Sequence, residues 1–205
     1  MTPSRPAAMD AWPLARLAAR VELLAFGLLI AVLAGAVSAD EPALAALLKT
    51  LDLRVYTSRT APPQFSGSTL DARQLSLVEY RGRVVVLTFW ASWCLECRVE
   101  MPELERLQRE FSSRGLAIIG VNAQESKEAV RRYAKELGLT FPLVLDRDGK
   151  INALYGVIGI PTTFVVGRDG RAIALAVGPR QWETVQARAL IAALLAEPAV
   201  GPAAR

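Results

Sequence analysis

Apolar residues alternate along this chain in two rhythms, and the succession of those rhythms sets out its elements. Val84–Trp90 is a strand-like run of seven, apolar but for Thr88, and Leu95–Phe111 after it has helical spacing. The pair repeats as a strand at Leu116–Val121 and a helix at Ser126–Leu137, which Gly138 closes. A strand at Pro142–Leu145 follows, with a turn at Asp146-Arg147-Asp148-Gly149. Strands at Thr163–Val166 and Ala172–Val177 flank the turn Arg168-Asp169-Gly170 and read as a hairpin. A last helix is expected from about Trp182 to Ala196. Strand–helix alternation that ends in a hairpin and a helix predicts an α/β sandwich with a mixed central sheet flanked by helices. No internal repeat interrupts it.

Ahead of this body the pattern changes. Residues 1–39 carry Arg5, Arg16 and Arg20, then an uncharged Leu-, Ala-, Val- and Ile-rich stretch from Leu23 to Ala39. As a helix that stretch would reach ~25 Å, slightly short of a hydrocarbon core. Val37-Ser38-Ala39 before Asp40 has the small residues of a signal-peptidase site. Cleavage and retention as a single N-terminal membrane anchor both fit; the long arginine-bearing region with Asp10 speaks for retention. Either way the arginines stay inside and the remainder crosses. Residues 40–60 read as a short helix to about Leu53, with Leu44, Leu47, Leu48 and Leu51 on one side, and a linker from about Val55 to Pro63. The principal domain spans 61–197, and 198–205 is an Ala- and Pro-rich tail.

The chain has 205 residues, 52% of them apolar, enough to bury a core without disulfide staples. Of a net charge of +4, the part from Asp40 onward keeps +3, interspersed and without a basic face, so nucleic acid is not an expected partner. Histidine is absent, which excludes a Ser-His-Asp or Cys-His nucleophile and a histidine-ligated metal. The two cysteines, Cys94 and Cys97, cannot complete a four-thiolate zinc site, and Arg98 in the next position breaks the haem-attachment pattern. No resident metal or cofactor is expected. Redox exchange between the two thiols, or their use as soft copper(I) ligands, remains.

Both cysteines sit where the strand Val84–Trp90 gives way to the helix. A helix N-terminus favours thiolate over thiol through its dipole and free N–H groups. Cys94 is there, and Cys97 lies one turn further in, as suits an attacking and a resolving thiol. A purely structural bridge across three residues would close a loop too small to stabilise much. In an oxidising compartment beyond the membrane the pair would by default be joined.

The segment Phe89-Trp90-Ala91-Ser92-Trp93-Cys94-Leu95-Glu96-Cys97-Arg98-Val99-Glu100-Met101-Pro102 resembles the signature of thioredoxin-fold thiol-disulfide oxidoreductases of the TlpA/ResA type. Gly159-Ile160-Pro161-Thr162-Thr163-Phe164 is similar to the loop that carries their cis-proline, and Ala61-Pro62 through Leu77 with Arg81-Gly82-Arg83-Val84 is similar to their N-terminal strand region. The resemblance covers about residues 61–196 and implies a thioredoxin-like fold. It implies that Pro161 is cis and lies against the disulfide, with the Ile160 backbone offered to a substrate segment. It gives Trp93 a place in the docking surface, although an aromatic beside a core strand can equally be packing. It makes Glu100 an acid near the thiols, partly buried with a raised pKa and able to exchange the proton of Cys97; the competing expectation is a solvated carboxylate like Glu103 and Glu105. Pro102 is a structural kink.

Two positions depart from the family pattern. Glu96 stands where proline is common, and its charge opposes a thiolate on Cys94, which favours a reductant over an oxidant. Thr88 stands where cytoplasmic thioredoxins bury an acid, so proton handling shifts toward Glu100. The resemblance thus implies an extracytoplasmic, periplasmic protein-disulfide reductase. Its partners would be client proteins with disulfide-bonded cysteines, as in cytochrome c biogenesis or copper-site assembly, and a membrane thiol as electron donor. A copper(I) chaperone would have only Met101 as a further soft ligand. A peroxiredoxin-like peroxidase would need Thr-x-x-Cys, whereas residue 91 is alanine.

Overall fold

The computed structural model describes residues 41–58 and 60–198. The expected signal or anchor segment at 1–39 and most of the 198–205 tail lie outside them. The chain divides between Ala43 and Leu44, and the fold below is that of the unit beginning at Leu44. No helix of the described residues is long and apolar enough to cross a membrane.

In chain order the elements are α1 (Glu41–Thr50), β1 (Arg54–Val55), β2 (Ser66–Ser68), β3 (Gln74–Ser76), a 3-10 turn (Leu77–Tyr80), β4 (Val84–Trp90), α2 (Leu95–Phe111), β5 (Leu116–Ala123), α3 (Lys127–Leu137), β6 (Leu143–Asp146), α4 (Lys150–Leu154), β7 (Thr162–Val166), β8 (Ala172–Val177) and α5 (Val185–Ala196). Six strands form one sheet in the order β1-β8-β7-β4-β5-β6, and β2 and β3 form a separate hairpin. β4, β5 and β6 are parallel, while β7, β8 and β1 run antiparallel to their neighbours. The mixed sheet expected from the sequence is therefore present.

β4 lies at the middle and every one of its residues is buried. Its two faces alternate, as a strand's must. Val84, Val86 and Trp90 join Leu104, Leu107, Leu190 and Ile191 in a core under α2 and α5, while Val85, Leu87 and Phe89 join Phe65, Tyr155 and Phe164 on the opposite face. Thr88 has the parity of Trp90 and so points toward α2.

The leucines of the expected helix are core, and the expected linker starts in ordered structure at Val55. Leu48, Leu51 and Leu53 belong to the core under α2, and β1 pairs with β8 through Arg54↔Leu175 and Val55↔Ala174. Two residues of strand are too few to leave an alternation in the sequence, and their pairing comes from a partner 120 residues away. The last helix starts at Val185, later than expected, because the Thr184 side chain accepts the Ala187 N–H and caps it. Trp182 is left outside the helix and fully buried. α4 follows the 146–149 turn and was not expected; Asp146 makes it by accepting the N–H groups of Ile151 and Asn152.

One glycine fixes the sheet's approach to the site. A Cβ on Gly120 would lie 2.8 Å from Trp90 Nε1 and 2.9 Å from Leu143 Cδ2. The Trp90 ring stacks on Tyr133 at 4.7 Å between centroids and has no room to give way. Gly120→Ala is expected to cost about 1–3 kcal/mol by overpacking. Urea unfolding should show a lower midpoint with an unchanged slope, and an unmoved midpoint would contradict this packing.

Candidate functional site

The site begins with the end of β4 and the start of α2. Trp90 closes the strand, and the Cys94 N–H returns to the Ala91 carbonyl, so Ala91–Cys94 forms a tight turn. Cys94 then takes extended geometry as the N-cap, and its Sγ accepts the Cys97 N–H at 3.1 Å. A side chain that accepts from the third residue of a helix satisfies a donor that would otherwise be orphaned. Cys94 and Cys97 are joined as a disulfide, with 5.2 Å between their Cα atoms. Both are buried, Cys94 at 5% exposure and Cys97 at 1%.

The surface above them is apolar. Trp93, Leu95 and Val99 are exposed, Trp93 at 69%, so Trp93 is not core packing. Glu96 is exposed in the first turn of the helix. Register brings the second loop alongside: Phe89 pairs with Thr162, which places Pro161 beside Trp90 at the entry to the cysteine turn. The Ile160–Pro161 peptide is cis. Ile160 packs at the edge of both cores, and Ile158 before it is 97% exposed.

Beneath this surface lies Glu100, 2% exposed rather than solvated. Its Oε1 accepts the indole N–H of Trp182 at 2.5 Å and lies 3.3 Å from Thr163 Oγ1; its Oε2 is buried without a hydrogen-bond partner among the described residues. Thr163 Oγ1 is also 2.9 Å from Thr88 Oγ1. A hydroxyl has one proton, so the order Thr88 to Thr163 to Glu100 satisfies both contacts. Burial is the main cause that lifts the Glu100 pKa to about 7, against the lowering effect of its hydrogen bonds. Glu105 is not the surface carboxylate expected either: it is buried, accepting from Thr140 N–H, Thr140 Oγ1 and Arg109 Nε.

Two residues at this end of the sheet, Glu125 and Trp182, did not stand out in the sequence. Glu125 accepts the Ser92 N–H at 2.7 Å and the Asn122 amide at 2.6 Å, and also the Ser92 hydroxyl, so it pins the cysteine turn to the end of β5. The available signal was its position just past a parallel strand, where loops gather over the carboxyl ends. Trp182 was hidden by its assignment to a helix. Met101 is buried in the core under α2, and no group of three or more Cys, Asp or Glu suited to a metal occurs among the described residues.

The Glu100 proton predicts a pH-dependent stability. With a folded pKa of about 7 above the ordinary 4.5, the native state holds the proton to higher pH than the unfolded chain. This group's contribution is complete below about pH 4.5 and is lost as pH rises through 7, a swing of a few kcal/mol. Denaturation midpoints of Glu100→Gln should therefore vary less between pH 5 and 8 than those of the parent; parallel curves would contradict the assignment.

Comparison with known proteins agrees with this architecture. Residues 59–174 match the AhpC/TSA family. The thiol-disulfide oxidoreductase ResA of Geobacillus thermodenitrificans is 36% identical over 149 residues, which cover 70% of this chain and 86% of that protein. Among solved structures, a thiol:disulfide interchange protein of the thioredoxin family from Chlorobium tepidum aligns with a TM-score of 0.61 and 30% identity, over 68% of this chain and 99% of its own. StoA from Bacillus subtilis aligns at 0.53 with 29% identity, over 61% of this chain and 95% of its own. With its thioredoxin-like sheet, its Cys94–Cys97 pair and relatives that are thiol-disulfide oxidoreductases, the chain belongs to the AhpC/TSA family.

Proposed function

We propose that this protein is an extracytoplasmic thiol-disulfide oxidoreductase that works as a reductant of protein disulfides through the Cys94–Cys97 couple. The observation that carries the reading is the placement of both sulfurs at the N-terminus of α2, with the Cys97 N–H directed at Cys94 Sγ. An N–H that donates to sulfur favours its anionic form, so Cys94 is the attacking thiol.

In the reduced protein, Cys94 thiolate attacks one sulfur of a client disulfide. The client S–S bond breaks, a Cys94–client disulfide forms, and the departing client sulfur takes a proton. Cys97 then loses its proton to the Glu100 carboxylate and attacks Cys94 Sγ. The mixed disulfide breaks, the second client thiolate leaves and is protonated, and the Cys94–Cys97 bond closes. The client gains two electrons and two protons. The electrons come from the Cys94–Cys97 pair, one proton comes from Cys97 by way of Glu100, and the other comes from solvent, which took the proton of Cys94 when its thiolate formed. A membrane thiol donor returns them, and the N-terminal segment, if retained, keeps the domain near that donor.

Trp93, Leu95 and Ile158 would receive the client beside the sulfurs, and the Ile160 backbone would align an extended client segment next to cis Pro161. Clients in cytochrome c maturation or copper-site assembly suit a reductant of this kind. Glu96 supports the reducing direction, since its charge in the first helical turn works against the Cys94 thiolate.

The test is mechanistic trapping. Cys94→Ser should reduce insulin disulfides no faster than the uncatalysed background. Cys97→Ser should accumulate a covalent Cys94–client species visible by intact mass. Turnover by Cys94→Ser at the parent rate would overturn the proposal.

A further inference from the structure

The segment between β8 and α5 meets the site at two points. The Gly178 N–H donates to the Pro161 carbonyl at 2.8 Å, which ties the segment to the cis-proline loop. Four residues later, Trp182 is fully buried and its indole N–H donates to Glu100 Oε1. Trp182 is itself held by its backbone, whose N–H donates to Glu103 Oε2 at 2.6 Å, and by Thr184 capping the helix behind it.

We propose that Trp182 is the positioning residue for Glu100: its indole N–H fixes Oε1, and the unpartnered Oε2 is left as the oxygen that carries the proton. The inference rests on the proton-exchange role given to Glu100 above and extends it to a residue outside the cysteine and proline loops. Other groups at the carboxyl are few and can be assigned. On α2 there are Cys97 one turn earlier and the Glu103 carboxylate, whose charge opposes ionisation of Glu100. From β7 and β4 come the Thr163 and Thr88 hydroxyls. From the segment itself the Arg180 backbone N–H favours the ionised carboxylate, while the Arg180 guanidinium is turned to Asp52, bonding both its carbonyl and its carboxylate. Among the described residues no cationic side chain therefore holds Glu100, and neutral donors do the work.

The geometry explains why an indole serves. Phenylalanine would fill most of the same volume but offer no proton, so Oε1 would keep only the 3.3 Å Thr163 contact. A buried carboxylate that loses a donor is harder to ionise. Hydrogen bonds to charged groups have strengths that correspond to about one to two pH units, and the remaining donor offsets part of the loss.

The experiment compares the pH dependence of iodoacetamide alkylation of the reduced full-length protein in four forms: parent, Trp182→Phe, Glu100→Gln and the double variant. The expected result is an inflection moved up by about one pH unit in Trp182→Phe. Glu100→Gln should abolish that inflection, and Trp182→Phe should change nothing further in its presence. A parent-like profile in Trp182→Phe beside an altered one in Glu100→Gln would overturn the role of Trp182 and leave that of Glu100 standing. A parent-like profile in Glu100→Gln would overturn the Glu100 reading and this inference with it. A second measurement needs no substitution in the sample observed. The Trp182 indole N–H resonance of the parent, identified as the one displaced in Glu100→Gln, should titrate with an inflection near the Glu100 pKa of about 7. A resonance that stays flat from pH 5 to 9 would overturn the proposal.

Discussion

Cys94 has to be two things at once: the residue that ends the turn after β4 and the residue that caps a helix. Its N–H goes back to Ala91, its carbonyl accepts from Arg98, and its sulfur accepts from Cys97, so its backbone and side chain are all committed to the junction of β4 and α2. That commitment holds only because β4 is buried on both faces and α2 is packed against one of them through Met101, Leu104 and Leu107. Sulfur at an N-cap therefore inherits the polarity of the whole helix end. Glu125 secures the other side of the turn by taking the Ser92 N–H, and Asn122, fully buried at the end of β5, steadies Glu125 in turn.

The same packing that exposes one apolar rim buries an acid beneath it. Glu100 is on the inward face of α2, opposite Thr163 and under Trp182, where an ionised carboxylate is costly and a neutral one is inert. A pKa of about 7 is the balance of burial against three neutral donors, and it places the change of charge in the range where a proton can be exchanged in either direction. Thr88 belongs to this account. At a position where cytoplasmic thioredoxins carry an acid, a hydroxyl supports a carboxylate that arrives from the helix.

The sequence was most legible where local pattern and tertiary position agree. β4, α2 and β8 have the bounds expected from apolar runs, and Gly138 ends α3 in left-handed geometry, φ 63°, as a closing glycine does. It was least legible where a contact is long-range and brief. β1 is two residues whose only signature is its partner, and α4 depends on Asp146 reaching forward to Ile151 and Asn152. The cysteines could be found because their spacing is itself the signal, and Pro161 because its loop resembles the one that carries the family's cis-proline. Glu125 and Trp182 could not, since each matters for what it bonds across 33 and 82 positions of chain, and neither residue type announces that role. Glu100 was separable from its helical neighbours only through the family resemblance, while Glu105 is buried for the unrelated task of holding Thr140.

The direction of electron flow decides whether this arrangement is a reductant, and the equilibrium between the protein and glutathione redox buffers measures it most directly. With Glu96 set against the Cys94 thiolate, the couple should have a potential more negative than about −200 mV, nearer the ~−270 mV of thioredoxin than the ~−120 mV of DsbA. A potential close to that of DsbA would contradict the account, because a dithiol that stable gives up its electrons too reluctantly to reduce a client.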